Sequence, residues 1–271
     1  MKIDVAVIPC AGSGTRMRPA TRVLPKAMIP VVDRPVIQYV VEEAVSAGVS
    51  EIVFVLDDRP GDPVLSHFIE GSPIPGLGDV EFTHVRQDHP QGLGDAVLRA
   101  ADVVAGRPFL CLLSDMFPVP GLSFAGRMVE AFDGRALVAV REVEEGLLER
   151  YGIVAPRSAF SGDLAEIGGA VEKPGPDKAP SNLGLVGRYV FPASVFEALR
   201  AADPGVGGEI QLTDAIDRLA RTEGAVALMV GEALLDIGVP AGLLEATAAV
   251  GLAREDLAPV FRSWLEHMLA R

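Results

Sequence analysis

Cysteine is scarce in this 271-residue chain: Cys10 and Cys111 are the only two. Each stands in or beside an apolar, strand-like run, which argues for a reducing compartment and against a disulfide-stapled secreted fold. Cations are also few, 24 Lys and Arg against 37 Asp and Glu, for a net charge of −13. That acid excess argues against a general nucleic-acid binder, whose affinity rests on neutralising phosphates. Long hydrophobic runs are missing as well. No stretch reaches the roughly 18–20 apolar residues of a membrane span, and Pro9 with the glycines after it interrupts the one candidate leader. These absences predict a soluble cytoplasmic protein with neither a membrane nor a nucleic-acid partner. The four histidines (His67, His84, His89 and His267) and the cysteines lack metal-ligand spacing, which discounts zinc. What remains is 49% hydrophobic and 23% charged, enough for one large core or a core with a small appended lobe.

Strand-like and helix-like segments alternate along the first half, the pattern of parallel α/β construction. Val5–Pro9, Ile52–Leu56, Val80–Val85, Phe109–Leu113 and Leu137–Val140 read as strands. Val36–Ala47, Val64–Ile69, Leu93–Ala105 and Leu122–Phe132 carry helical spacing. Runs as apolar as Phe109-Leu110-Cys111-Leu112-Leu113 belong in a sheet covered by helices on both faces. Beyond Val143 the rhythm changes. Ile153–Ala155, Ala170–Glu172 and Leu185–Phe191 read as strands between Gly- and Pro-rich turns, and Ile210–Arg221 and Ala241–Ala253 as helices. The expectation is an α/β fold with a mixed, mostly parallel central sheet on one body. In the last segment Leu257, Val260, Phe261, Trp264, Leu265, Met268 and Leu269 form an amphipathic helical stripe. It either packs on the chain's own core or makes a subunit contact.

The densest chemistry lies between Val5 and Lys26. An apolar strand ends at Pro9 and opens into Ala11-Gly12-Ser13-Gly14-Thr15-Arg16, with Pro25-Lys26 ten residues on. Two glycines one residue apart expose backbone N–H groups where no Cβ obstructs a ligand. Arg16 and Lys26 then suit a polyanion such as a triphosphate. The run is not a P-loop, which needs G-x-x-x-x-G-K-[ST]. Nor is it a dinucleotide fingerprint, because Met17 stands where the third glycine belongs. A bare G-x-G also fits a plain turn; the prolines and cations around it favour a phosphate cradle.

Asp115 ends the Phe109–Ser114 run, and Asp236 ends Ala233-Leu234-Leu235 in a similar way. Each reads as a cap or turn former, or as a hard carboxylate at the carboxyl edge of the sheet, where ligands of open α/β folds lie. Two such carboxylates could share one Mg²⁺, which is commonly held by one or two carboxylates plus substrate phosphates. Glu172-Lys173-Pro174 reads as an exposed turn. With Tyr151-Gly152 it also offers a carboxylate for sugar hydroxyls and an ammonium for a sugar phosphate.

Taken in order, Gly12–Arg16, Pro25-Lys26, Gly92-Leu93-Gly94, Asp115, Tyr151-Gly152, Glu172-Lys173-Pro174, Ala179–Leu183, Val186-Gly187-Arg188-Tyr189 and Glu209–Ile216 resemble the sugar-1-phosphate nucleotidyltransferases. Within that family they are most similar to the bacterial UTP–glucose-1-phosphate uridylyltransferases. The resemblance runs nearly end to end. It implies a single Rossmann-like nucleotidyltransferase domain over 1–271, with a nucleotide-binding half (1–143), a sugar-phosphate-binding half (144–255) and a C-terminal amphipathic helix (256–271). It also implies Mg²⁺ dependence and a homodimer or homotetramer. The substrates it implies are an NTP, UTP first, and a sugar 1-phosphate, glucose 1-phosphate first. Carried over by residue, Ala11, Gly12, Gly14 and Thr15 lie against the nucleotide, Arg16 and Lys26 hold its phosphates, and Gln87 with Gly92 reads the base. Asp115 and Asp236 match the metal ligands. Gly152, Glu172, Lys173 and Asn182 match the sugar-phosphate contacts.

Departures from the uridylyltransferase pattern are local. Ala27 replaces a carboxylate after Pro-Lys, Gln91 replaces a lysine before Gly-Leu-Gly, and Asp236-Ile237-Gly238-Val239-Pro240 is closer to mannose-1-phosphate guanylyltransferases. The loop between Phe68 and Val80 is also short for the uridylyl group. The alternatives are therefore dTTP with glucose 1-phosphate, guanylyl or other transfer to a modified sugar or cyclitol phosphate, and a non-catalytic sugar-nucleotide-binding homologue.

Overall fold

The computed structural model describes residues 2–270 apart from Ser13, Glu232 and Ala233. Ser13 of the glycine loop and Ala233 of the run into Asp236 thus lie outside the described residues. From edge to edge, a nine-stranded sheet runs Glu81–Arg86, Glu51–Leu56, Val5–Pro9, Phe109–Leu112, Leu183–Phe191, Ala136–Glu142, Ala225–Met229, Leu164–Glu172, Gly152–Pro156. The first four strands are mutually parallel. Leu183–Phe191 opposes both its neighbours, Ala136–Glu142 and Ala225–Met229 are parallel, and the last two pairings are antiparallel. Parallel pairing is concentrated in the first half, and antiparallel pairing enters with the second.

Side-chain alternation explains why the central strands need cover on both faces. Ala6 and Ile8 enter one core cluster while Val5 and Val7 enter the other. Helices Val36–Ser46, Pro63–Phe68, Phe124–Ala131 and Pro240–Ala253 pack on the first face. Helices Leu93–Arg99, Ala101–Val104, Val195–Arg200 and Leu212–Thr222 pack on the second. Each buried Val, Leu, Ile or Phe side chain contributes about 1.5–3 kcal/mol.

This strand order fixes the site. Val5–Pro9 continues to Glu51–Leu56 on one side, whereas Phe109–Leu112 lies on the other. Strand order reverses between them, and ligands of open α/β sheets occupy the crevice beyond the carboxyl ends at such a point. The glycine loop leaves one of these strands and Asp115 follows the other.

Several elements differ from the sequence reading. Ala225–Met229 is an interior strand at a place assigned no element, because its alanine-rich run has weak β preference and burial between two strands decides its state. Leu164–Glu172 begins well before Ala170. Gly168-Gly169 hides that extension. A Cβ at Gly169 would stand 2.6 Å from Asp217 Oδ1, which accepts a hydrogen bond from the Ala170 N–H (3.0 Å). The Leu93–Ala105 helix breaks at Ala100, and Val195–Arg200 is an additional helix. In the final helix, Ala258–Leu269, Phe261 packs against Gly251 while Val260, Trp264 and Leu269 stay exposed. Among the described residues no helix is long and apolar enough to cross a membrane.

Candidate active site

A cavity of about 400 Å³ opens at the reversal of strand order. Ala11, Gly12, Gly14, Thr15 and Arg16 line it from the first strand, and Lys26, Gln87, Gly92 and Asp115 from elsewhere. All eight residues expected at the nucleotide are therefore brought together, with the candidate metal ligand Asp115 beside them. Gly14 has φ +57°, and its carbonyl accepts from Thr21 Oγ1 (2.7 Å), which folds the loop back on the Pro25-Lys26 segment. Met17, where a dinucleotide fingerprint needs glycine, is a core side chain. Cys10 also lines the cavity, and burial pushes its thiol pKa up, which disfavours a thiolate nucleophile.

The two candidate metal carboxylates meet through a short antiparallel ribbon. Leu234–Asp236 pairs with Met116–Pro118, setting Asp236 opposite Met116, and the Ile237 N–H donates to the Asp115 carbonyl (3.0 Å). Asp236 accepts from the Gly238 N–H (2.6 Å). Its carboxyl is nevertheless raised above the usual range, first by burial and then by the charge of Asp115, against the opposing pull of Lys26 and Arg16. Lys26 Nζ is paired with Asp115. A Cβ at Gly238 would lie 3.0 Å from Lys26 Nζ and 3.3 Å from Arg16 Nη2, so glycine lets both cations crowd against the carboxylates. Among the described residues no cluster of three His, Cys, Asp or Glu side chains could hold a metal. Two adjacent carboxylates are hard oxygen donors, and with substrate phosphates they fit a hard divalent cation.

Gln87 is only 3% exposed, and its Nε2 donates to the Gly92 carbonyl (3.1 Å) and to Asp95 Oδ2 (2.7 Å). Two acceptors on one side fix the amide orientation and leave Oε1 as the acceptor for a ligand. Gly92 has φ +107°, and a Cβ there would sit 2.6 Å from the Ile210 carbonyl. Only glycine suits that turn, into which the Glu209–Gln211 segment is pressed.

The residues expected at the sugar phosphate form a separate group. Glu172 Oε1 pairs with Lys173 Nζ (2.9 Å) and its Oε2 accepts from Thr213 Oγ1 (2.6 Å). Lys173 has φ +47°, a left-handed conformation uncommon for a residue with a Cβ. Gly152 lies against Thr213, whose Oγ1 would be 2.6 Å from a Cβ. Asn182 is exposed, and its carbonyl accepts from the Val143 N–H (2.9 Å). None of these four lines the cavity. The link between the groups is the Glu209–Ile216 motif, since Glu209 lines the cavity and Thr213 holds Glu172.

The chain as a whole has counterparts among known proteins. The nucleotidyl transferase family matches residues 5–251. The chain belongs to that family. It is similar to UTP–glucose-1-phosphate uridylyltransferase YngB of Bacillus subtilis (strain 168), at 34% identity over 100% of this chain and 97% of the relative. It is also similar to UTP–glucose-1-phosphate uridylyltransferase 2 of Staphylococcus saprophyticus, at 36% identity over 94% of each. Among solved structures it resembles a UDP-glucose pyrophosphorylase complexed with UDP-glucose, at 31% identity and TM-score 0.86 over 93% of this chain and 100% of that one. A UTP-bound UGPase from Acinetobacter baumannii gives 35% identity and TM-score 0.86 over 97% and 99%. The chain is thus a nucleotidyltransferase similar to the uridylyltransferases, as the sequence motifs imply.

The departures have structural reasons. Ala27 is buried in the core, where an unpaired carboxylate would be costly. The Gln91 carbonyl accepts from the Ile210 N–H (2.7 Å) while its side chain is exposed. Pro240 opens the Pro240–Ala253 helix, a position that needs no N–H donor. Glu209, Gly238 and Thr213 carry no expected role, although all three sit inside stretches quoted above.

Proposed function

We propose that this chain catalyses Mg²⁺-dependent transfer of a uridylyl group from UTP to glucose 1-phosphate, releasing UDP-glucose and pyrophosphate. The observation that carries the reading is the meeting of Arg16, Lys26, Asp115 and Asp236 beside a cavity that Gln87 and Gly92 also line. Support comes from relatives named for this reaction and from crystal relatives holding UDP-glucose or UTP.

A phosphate monoester has a second pKa near 6, so the attacking oxygen of glucose 1-phosphate is mostly deprotonated at neutral pH. It attacks the α-phosphorus, and the bond to the β,γ-pyrophosphate breaks. No side chain has to take a proton, in keeping with a Cys10 whose thiolate is disfavoured. The obstacle is repulsion between two polyanions, which positioning and charge neutralisation overcome. Ala11, Gly12, Gly14 and Thr15 approach the nucleotide through backbone, Lys26 exchanges Asp115 for a phosphate, and Arg16 stabilises the departing pyrophosphate. Asp115 and Asp236 would hold Mg²⁺, and such a cation would supply charge neutralisation for the phosphates. Lys173 orients the sugar phosphate, with Glu172 and Asn182 at sugar hydroxyls, and Gly152 lets Thr213 close on the strand and hold Glu172. Gln87 Oε1 accepts the N3–H of uracil.

Thymine offers the same N3–H, so dTTP is the second reading, and guanine N1–H is a donor of the same kind. A panel of UTP, dTTP, GTP, ATP and CTP with glucose 1-phosphate and mannose 1-phosphate, scored by pyrophosphate release, decides among them. Fastest turnover with UTP and glucose 1-phosphate is expected. Turnover with another NTP and none with UTP overturns the uridylyl reading, and no turnover with any pair leaves a sugar-nucleotide-binding homologue.

We further infer a single-domain cytoplasmic enzyme, with halves divided near residue 143, that assembles as a homodimer or homotetramer. Free thiols at Cys10 and Cys111 support the compartment, and exposed Val260, Trp264 and Leu269 support the assembly. Light scattering tests the latter; a monomer would overturn it.

A further inference from the structure

Arg188 has no part in the chemistry above, yet it is the largest fully buried side chain among the described residues, at 0% exposure. Its sequence setting, Val186-Gly187-Arg188-Tyr189, sits where the Leu183–Phe191 strand loses register with Ala136–Glu142, between Leu185 and Tyr189. Arg188 pairs with Glu43 of the Val36–Ser46 helix, with Nε and Nη2 each 2.9 Å from Oε2. The other Glu43 oxygen accepts from the N–H groups of Phe124 (3.2 Å) and Ala125 (3.0 Å). A buried pair of this kind is weak as a device for stability alone, since desolvation offsets much of the attraction.

What the guanidinium does with its remaining donors is more specific. Nη1 donates to the carbonyls of Gly187 (2.9 Å) and Leu113 (3.3 Å), and Nη2 donates to the carbonyl of Met116. The Leu113 N–H in turn donates to the Gly187 carbonyl (2.9 Å). Arg188 therefore grips the chain on both sides of Asp115, while the Asp115 carbonyl itself is held by Ile237 N–H beside Asp236. The turn is thus tied on one side to the Gly187-Arg188 segment and on the other to the Asp236-Ile237 segment.

We propose that Arg188, held by Glu43, is a positioning residue that sets the turn carrying Asp115 and thereby the geometry of the two-carboxylate cation site. This rests on the proposed reading of Asp115 and Asp236 as cation ligands. It assigns a purpose to a buried charge that a core of this size would otherwise replace with apolar packing. Groups behind a metal's direct ligands typically change metal affinity or activity by roughly 10–100-fold when altered.

The test uses the full chain with UTP and Mn²⁺ as the paramagnetic probe, reading bound Mn²⁺ by electron paramagnetic resonance. Arg188→Lys and Glu43→Gln are compared with wild type and with Val41→Ala, a core truncation on the same helix as Glu43. Melting temperature is recorded for each. Expected is Mn²⁺ affinity about tenfold weaker in Arg188→Lys and Glu43→Gln, with the KM for glucose 1-phosphate within about twofold of wild type. Val41→Ala should lower the melting temperature and leave Mn²⁺ binding unchanged. Should Arg188→Lys not fold, Glu43→Gln decides alone. Affinity within twofold of wild type in the folded variants, whatever their melting temperature, reduces the pair to core packing and overturns the inference. A wild type that binds no Mn²⁺ with UTP present would overturn the proposed activity and this inference together.

Discussion

The phosphate end and the sugar end of the site hold their charges in different ways. At the phosphate end Lys26 and Asp115, 89 residues apart, pair with side chains only 15% and 18% exposed. They meet beyond the carboxyl ends of the parallel strands Val5–Pro9 and Phe109–Leu112, and Asp115 and Asp236 are tied by a backbone ribbon. At the sugar end Lys173 pairs with its own neighbour Glu172 and remains 42% exposed. An exposed pair of that kind contributes about 0–1 kcal/mol. Glu172 ends the strand next to the Gly152–Pro156 edge, among antiparallel pairings. The lesson concerns what each end can change. On the proposed assignment, handling a triphosphate would be built into backbone geometry near the core, while the choice of sugar would rest on side chains at a sheet edge that can vary without disturbing that core.

The sharpest way to break this contrast is Asp236→Asn. Losing one charge at the phosphate end should lower kcat roughly 10²–10³-fold, by analogy with the loss of one preorganised electrostatic group. Circular dichroism should be unchanged. Turnover within tenfold of wild type would mean that the ribbon is only structural. Next in size is Lys173→Met. A bond to a charged group is worth about 1.5–3 kcal/mol, so the KM for glucose 1-phosphate should rise roughly 10- to 100-fold. The KM for UTP should stay put, and a rise in both would merge the two ends into one. Smaller again is Gly92→Ala. It combines a positive φ with a Cβ 2.6 Å from the Ile210 carbonyl, and should cost about 1–3 kcal/mol in thermal or urea unfolding. Its catalytic effect should fall on UTP and not on the sugar phosphate.

Much of the phosphate end was legible because its signals are local. Val5–Pro9, the glycines, Lys26 and Asp115 each follow from a strand ending in a turn, and the structure gathers them as strand order dictates. Asp236 was found the same way, although its partner strand Met116–Pro118 is too short to announce itself. Less was legible where tertiary contact decides. Ala225–Met229 is a strand because two neighbours enclose it, and Gly152 is a glycine because Thr213 lies against it. Glu43 carried a readable hint. It stands on the buried face of a helix with Val36, Val40 and Ala44, where an acid needs a partner, but nothing in the letters says that the partner is 145 residues away.

Asn182 gives the finest test of the contrast, because there the expected effect is smallest. Its backbone carbonyl is engaged with Val143 while its side chain is exposed, so Asn182→Ala should leave the fold untouched. If the amide meets a sugar hydroxyl, one neutral hydrogen bond of about 0.5–1.5 kcal/mol is lost, and the KM for glucose 1-phosphate should rise roughly 2- to 10-fold. Combined with Lys173→Met, the two losses should add if each side chain grips a different group of the sugar phosphate. A double variant no worse than Lys173→Met alone would mean that Asn182 acts only by holding the lysine. The sugar end would then be a single coupled device like the phosphate end, and the distinction between them would fail.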